Sequence, residues 1–299
     1  MKKADIDNYK KAGEISIEAK KYARQLIKPG MALVDIAEKI ESKIKELGGE
    51  LAFPVNLGIN EIAAHYTPSS DDETEASGLL KIDMGVHVKG AIADTAFSLD
   101  LSKDGEYKKL IEASEKAVEN AIQSIKKDTT LSDIGLAIQN AITASGFSPI
   151  RNLSGHKLDL FTVHAGLTIP NYENNNQTKI EDGAYAIEPF ATTGQGIVYD
   201  GGKSGIYRLE NEGNVRDPSA RKMLDYIKEN YSTLPFCERW LAKEFGSRTR
   251  LSLMFLEKAN IISQYSQLIE KNHSPVAQSE HTLIIEKGKL EVTTSENSK

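Results

Sequence analysis

The sequence predicts one α+β domain built from a duplicated helix–helix–strand unit, with its functional site between the two halves. Three observations lead to this prediction. A pattern of apolar residues occurs twice at the same spacing, strands with alternating apolar and polar side chains follow each copy, and a block of helices interrupts the strands near the C-terminus. The 299 residues suffice for one large domain or two ordinary ones.

The duplicated unit begins with two amphipathic helices. The first pair is predicted at 5–27, ended by Lys28-Pro29-Gly30, and at about 33–47; the second begins with a helix at about 108–126. Leu33, Asp35, Ile36, Ile40, Ile44 and Gly48 recur as Leu131, Asp133, Ile134, Ile138, Ile142 and Gly146. Two amphipathic helices could match by coincidence. Six matches at one offset, each copy followed by an Asn-Leu pair and by histidines, favour a duplication.

The stretch 81–101 reads as two strands joined by a tight turn at Lys89-Gly90. In that register Gly85 faces Asp94, so Asp83 and Asp94 are diagonal neighbours on one face, and Gly85 leaves room between them. A divalent cation would make such a pair of carboxylates favourable. The alternative is two solvent-facing aspartates on an exposed hairpin, and this stretch alone does not decide between them.

Composition excludes several classes of protein. Apolar content of 39%, charged content of 27% and a net charge of −6 are typical of a globular protein without a basic nucleic-acid surface. We find no apolar run near 20 residues and no signal core, so no membrane span is expected. The single cysteine, Cys237, excludes an internal disulfide and suits the cytoplasm. Any metal site must therefore use carboxylates and histidines.

The second half of the chain alternates between strands and helices. A short strand is predicted at 184–190, followed by a stretch rich in glycine and turn residues, 192–213. Three helices at about 218–231, 235–246 and 249–258 form a compact insertion, with Asp217-Pro218 as a helix start. Strands return at 281–285 and 289–294, before a polar tail, 295–299.

Further candidate ligands lie in or beside these strands. His156 follows Gly155, Glu188 lies between apolar residues and a proline, and Glu280 opens a strand. Together with the hairpin aspartates they would form four acids and one imidazole, a set that two divalent cations would neutralise. Singly, each has a simpler explanation: a hydrogen-bonded loop histidine, a strand-end cap and a surface charge.

Five segments resemble the methionine aminopeptidase family and together cover nearly the whole chain. They are FPVNLGINEIAAHYTP (53–68), IDMGVHVKGAIADTAFSLD (82–100), NLSGHKLDLFTVHAGLTIPN (152–171), AIEPFATTG (186–194) and AQSEHTLIIE (277–286). The helical block around TLPFCERWL (233–241) is similar to type II members, and the start near the catalytic domain resembles archaeal ones. The resemblance implies the pita-bread (creatinase/aminopeptidase) fold, whose internal pseudo-two-fold agrees with the repeat.

The resemblance also implies a catalytic mechanism. Two divalent ions, cobalt, manganese, iron or zinc, would be held by Asp83, Asp94, His156, Glu188 and Glu280. Asp94 and Glu280 would bridge the ions, and a bridging hydroxide would attack the first peptide bond while Glu188 shuttles the proton. His65 and His164 would orient the substrate and stabilise the tetrahedral intermediate.

A methionine pocket is implied as well, lined by Phe53, Pro54, Asn56 and Tyr265. An apolar, aromatic wall suits an unbranched thioether. Ordinary core packing is the alternative for Phe53 and is a serious rival for Tyr265. His87, which shares the face of the hairpin aspartates, receives no role.

The expected domains are a catalytic domain, 1–195 and 263–299, and an inserted helical, winged-helix-like subdomain, 196–262. The expected activity is removal of the initiator methionine from nascent proteins when the second residue is small. An Xaa-Pro aminopeptidase or dipeptidase on the same fold, or a non-catalytic binding protein, are the alternatives. We expect a cytoplasmic monomer that acts on nascent N-termini, without membrane or specific nucleic-acid binding; ribosome association is left open.

Overall fold

The computed structural model describes residues 1–296 and contains seven α-helices and sixteen strands within that range. The helices are α1 (Lys3–Leu26), α2 (Leu33–Glu46), α3 (Lys108–Ser124), α4 (Leu131–Ala144), α5 (Pro218–Asn230), α6 (Glu238–Phe245) and α7 (Thr249–Lys258). The first eight strands are β1 (Glu50–Leu51), β2 (Asn56–Ile59), β3 (Ile62–Ala64), β4 (Leu79–Val88), β5 (Ala91–Asp100), β6 (Ser148–Pro149), β7 (Ser154–Leu158) and β8 (Thr168–Pro170). The remaining strands are β9 (Gly183–Ile187), β10 (Phe190–Thr192), β11 (Val198–Leu209), β12 (Phe236–Cys237), β13 (Ile262–Glu270), β14 (Val276–Gln278), β15 (His281–Glu286) and β16 (Lys289–Val292).

Each half of the chain packs one helix pair on its own strands. Helices α1 and α2 bury residues such as Ile36 and Ile40 against Ile82 and Val86 of β4. Helices α3 and α4 form a second core with strands β9 and β15. The four apolar positions that repeat in sequence are therefore core positions of two equivalent units, which confirms the predicted α+β fold with its internal duplication.

The hairpin of β4 and β5 has the predicted register. Val88 pairs with Ala91 and Gly85 with Asp94. Lys89 and Gly90 both have positive φ, +50° and +88°, as a two-residue type I′ turn requires. His87 stabilises the turn, because its Nδ1 accepts a hydrogen bond of 3.2 Å from the Gly90 N–H.

The glycine- and turn-rich stretch 192–213 contains a strand that sequence reasoning missed. Strand β11 spans 12 residues and pairs with β12 on one side and β13 on the other, in a sheet of order β12-β11-β13-β3. Its glycines weaken the local strand signal, and two register shifts interrupt its pairing with β13. The strand is therefore defined by its long-range partner.

The helical insertion has its own apolar core. Helices α5, α6 and α7 bury Met223, Leu224, Leu241 and Leu253 together with neighbouring side chains. This core supports the proposed division into 1–195 with 263–299, of which 297–299 lie outside the described residues, and 196–262. The division stays a prediction, because one sheet joins β11 of the insertion to β13 and β3.

A buried ion pair joins the insertion to the first half. The guanidinium of Arg239, 1% exposed, donates to Glu41 of α2 at 2.6 and 2.9 Å. The indole N–H of Trp240 donates to the same carboxylate at 2.8 Å. Because both charges are desolvated, each depends on the other for its stability in the core.

We predict that Glu41→Ala destabilises the protein strongly, since it leaves Arg239 buried without its partner. The expected loss in the free energy of unfolding is about 3–5 kcal/mol, measured by urea denaturation. Replacing Glu41 and Arg239 together by methionine should recover part of this loss, because no charge is then left unpaired, although the Trp240 indole still lacks its acceptor. The control is Glu14→Ala, which breaks an exposed helical pair with Lys11 and should change stability little. Equal effects of Glu41→Ala and Glu14→Ala would contradict the role of the buried pair.

Candidate metal centre

A pocket lies where the two halves and the insertion meet, and most of the predicted site residues line it. Its lining residues are Phe53, Asn56, Ala64, His65, Asp83, Asp94, His156, Val163, His164, Glu188, Ile206, Pro235, Tyr265 and Glu280. The five predicted metal ligands are all among them. Strands of both halves therefore deliver carboxylates to one place, as the duplication predicts.

The acidic cluster surrounds a buried imidazole. His156 Nε2 lies 3.4 Å from Glu188 Oε1 and 3.7 Å from Asp94 Oδ2. Ligand atoms of Asp94, His156 and Glu280 lie within 4.8 Å of one another, and all three residues are buried. His281 pairs with Ile187 across β15 and β9, so Glu280 and Glu188 are the next residues along these two strands.

The electrostatics of the cluster are unfavourable without a cation. Burial raises the pKa of Asp83 to about 7. Burial, followed by repulsion from Asp83, raises the pKa of Asp94 well above its ordinary value. The pKa values of Glu188 and Glu280 are raised in the same way, first by burial and then by the Asp94 charge. Burial also lowers the pKa of His156 to about 3, so its imidazole is neutral and able to bind a metal.

Several ligand atoms in the cluster are buried without a hydrogen-bond partner among the described residues. They include Asp83 Oδ1, Asp94 Oδ1 and Glu280 Oε2. A buried carboxylate oxygen without a donor is costly, and a cation removes that cost. The donor set, mostly oxygen with one imidazole, suits divalent manganese, iron, cobalt or zinc. The residues present therefore fit a divalent metal.

The space above Gly85 is filled by an aromatic ring. A Cβ at this position would lie 2.3 Å from Cε1 of Phe53. Our expectation that Gly85 leaves room between the two aspartates is therefore corrected. The missing side chain instead lets Phe53 lie against the strand and form the pocket wall beside the carboxylates.

Two further histidines, His65 and His164, line the pocket. The ring of His164 contacts His156 edge-on, with centroids 4.4 Å apart, and is exposed. His65 lies edge-on to Tyr265 at 5.2 Å, in a backbone conformation with φ of +59°. Burial lowers the pKa of His65 to about 4, so this ring is neutral at neutral pH. Arg208 lies over the Tyr265 ring, 5.0 Å from its centroid.

Four lining residues were not predicted. Ala64 and Val163 are adjacent to the predicted His65 and His164, which is the signal that could have found them. Ile206 and Pro235 come from the insertion, and Ile206 lies on the missed strand β11. Pro54 was predicted to line the pocket but is not among its lining residues; it is buried, and its carbonyl accepts a 2.9 Å hydrogen bond from Asn56.

Comparison with known proteins adds independent observations. Residues 7–217 match the model of metallopeptidase family M24. The methionine aminopeptidase of Methanocaldococcus jannaschii is 44% identical over 296 residues, which cover 97% of this chain and 99% of the relative.

Two solved structures share the fold. A thermophilic Arx1 superposes with a TM-score of 0.83 at 17% identity, covering 100% of this chain and 95% of the other. Methionine aminopeptidase from Thermotoga maritima superposes with a TM-score of 0.70 at 21% identity, covering 99% and 98%. These likenesses agree with the pita-bread fold. By its family match and by its close relative, this chain belongs to metallopeptidase family M24, among the methionine aminopeptidases.

Proposed function

We propose that the protein is a metal-dependent aminopeptidase that removes the initiator methionine from new proteins whose second residue is small. The observation that carries this proposal is the convergence of four carboxylates and a neutral imidazole beside an apolar wall. Membership of the methionine aminopeptidases supports the substrate. An enzyme that removes a single residue needs its metal site next to the pocket for that residue's side chain, and the candidate ligands line the same pocket as Phe53, Val163 and Ile206, which supports the proposal.

We infer that Asp83, Asp94, His156, Glu188 and Glu280 hold two divalent ions. The ligand set carries four negative charges when its carboxylates are ionised, and two divalent cations would balance them. When bound, such ions polarise a carbonyl and acidify water, which is the chemistry that peptide hydrolysis requires. Cobalt, manganese, iron and zinc all suit these ligands.

The side pocket is proposed to bind the methionine side chain. Phe53, Val163 and Ile206 supply apolar surface next to the carboxylates, and Tyr265 adds an aromatic ring. The thioether of methionine packs well against aromatic rings and fits an irregular apolar pocket. The free α-amine of the substrate would lie near a bound metal ion. A substrate with a blocked amine would lose this contact.

The remaining side chains are proposed to handle protons and the peptide group. Glu188 is proposed to take up a proton from the attacking water and to return it to the leaving amine. His65 is neutral, so it hydrogen-bonds the peptide without adding charge. His164 is proposed to stabilise the tetrahedral intermediate from the exposed side of the pocket.

We further propose that the protein acts on nascent chains in the cytoplasm, where their synthesis begins. Residues 1–296 contain no helix long and apolar enough to cross a membrane. We also propose that the protein is a monomer and binds no specific nucleic acid. Association with the ribosome is compatible with this proposal.

We predict that the metal-loaded protein hydrolyses Met-Ala-Ser after the first residue. Asp94→Ala or His156→Ala should reduce kcat/KM by more than about 100-fold. Losing a metal ligand should cost more than losing a residue that only hydrogen-bonds to a ligand, which typically costs about 10–100-fold. Peptide release is measured by chromatography. His273→Ala, which removes an imidazole on the surface, is the matched control and should retain activity. Full activity of His156→Ala would overturn the ligand assignment, and a better turnover of Leu-Pro peptides would overturn the specificity.

We predict that divalent metal stabilises the fold, and more so as the pH rises. In the metal-free protein the folded carboxylates keep protons that the unfolded chain releases near pH 4, so stability falls as the pH rises from about 4 through 7. Metal must displace these protons and therefore binds more tightly above pH 7. The midpoint of thermal unfolding, Tm, should rise little with manganese at pH 5 and clearly at pH 8.

The same experiment includes Asp94→Asn, which keeps the shape of the side chain and removes its charge. We expect this variant to lose most of the metal-induced rise in Tm. A rise that is equal at pH 5 and pH 8 would mean that the carboxylates are not protonated in the metal-free protein, contrary to the prediction.

A further inference from the structure

Strand β5, which carries Asp94, has two different edges. One edge pairs with β4 along the whole hairpin. The other edge faces β14 and β15 of the second half, where Glu280 N–H donates a backbone hydrogen bond of 3.0 Å to Ala96. Hydroxyl groups supply the other contacts that matter here. We call the three residues Thr95, Ser98 and Thr282 the hydroxyl seam.

The side chain of Thr282 hydrogen-bonds both backbone polar groups of Asp94. Its hydroxyl accepts a 2.8 Å hydrogen bond from the Asp94 N–H and donates one of 2.7 Å to the Asp94 carbonyl. Thr282 is fully buried, at 0% exposure. A single side chain of the second half thus occupies the place of a strand partner for a residue of the first half.

Thr95 of the first half, in turn, hydrogen-bonds the backbone of Glu280 in the second half. Its hydroxyl donates a 2.8 Å hydrogen bond to the Glu280 carbonyl and accepts one of 2.6 Å from the ammonium group of Lys20. Lys20 lies on α1 and is buried. The backbone of each of these two carboxylates is therefore held by a threonine from the opposite half of the molecule.

The third member of the seam shows that the pattern continues. Ser98 donates to the Gln278 carbonyl at 2.8 Å and accepts from the Gln278 N–H at 2.9 Å. Side-chain hydroxyls thus take the role of ladder hydrogen bonds where the two half-sheets meet. The two threonines bind the backbones of the proposed ligands Asp94 and Glu280, whereas Ser98 lies further along β5 and binds no proposed ligand.

We propose that Thr282 and Thr95 are positioning residues that fix the separation of Asp94 and Glu280 and thereby set the affinity for divalent metal. This inference rests on the proposed metal site. The two ligands belong to different halves, so their spacing depends on how the halves join. The threonine hydroxyls bind the backbone of the ligand residues and leave the carboxylates free. Partners that orient metal ligands typically change metal affinity 10–100-fold when lost.

Thr282→Val tests the proposal, because valine has nearly the same shape and lacks the hydroxyl. The metal-free variant is titrated with Mn²⁺ by calorimetry at constant pH. We expect its affinity to fall by about 10–100-fold relative to the wild type. Thr282→Ser keeps the hydroxyl and should restore the affinity to within about 3-fold, a rescue that a loss of packing alone would not produce.

A matched control separates positioning from general stability. The hydroxyl of Thr192, also 0% exposed, accepts from the Gly194 N–H at 3.0 Å and donates to the Pro275 carbonyl at 2.9 Å. Thr192→Val should lower Tm to a similar extent as Thr282→Val while leaving Mn²⁺ affinity within about 3-fold of wild type. The visible absorption of the Co²⁺-loaded protein should change in Thr282→Val and not in Thr192→Val.

Thr95→Val, with Thr95→Ser as its rescue, provides a second test from the other half and applies if Thr282→Val does not fold. The proposal is overturned if the folded valine variant binds Mn²⁺ as tightly as the wild type with an unchanged Co²⁺ spectrum. Failure of the wild type itself to bind Mn²⁺ would instead overturn the proposed metal site. The two failures are therefore distinguishable.

Discussion

The mutual repulsion of four carboxylates around one imidazole is the constraint on which the structure depends. Burial raises the pKa of all four acids, and repulsion raises the pKa values of Asp94, Glu188 and Glu280 further. Buried oxygens of Asp83, Asp94 and Glu280 lack hydrogen-bond donors among the described residues. A cluster of this kind opposes folding unless rigid elements hold it together. Two separate apolar cores supply that rigidity, one beneath the β4–β5 hairpin and one beneath β9 and β15.

The duplication explains why the cluster lies where it does. Each half contributes some of the acids, so neither half alone forms the site. The half-sheets meet at β5 and β15, and threonine hydroxyls there bind the backbones of Asp94 and Glu280. A join made by side chains can hold two strands at a spacing that a regular ladder would not give. The geometry of the cluster thus depends on the relative placement of the two cores.

The parts of the structure that sequence reasoning predicted depend on local chemistry. The hairpin register follows from the Lys89-Gly90 turn, and the helices follow from apolar periodicity within each segment. Strand β11 was missed because its glycines hide it and its partner β13 lies far along the chain. The contact of Phe53 with Gly85 was missed for the same reason: no local pattern indicates which ring will cover a glycine. The five proposed ligands came together as expected because each lies in or beside a strand.

The insertion supplies part of the pocket wall and none of the five proposed ligands. The proposed ligands come from the two halves, whereas Ile206 and Pro235 of the insertion complete the apolar side of the pocket. The buried Arg239–Glu41 pair ties the insertion to α2 and so fixes that wall relative to the carboxylates. A change in the insertion can therefore alter the shape of the side-chain pocket while the carboxylate cluster stays intact. Ile206 thus lies in the pocket wall without belonging to the strands that carry or adjoin the proposed ligands.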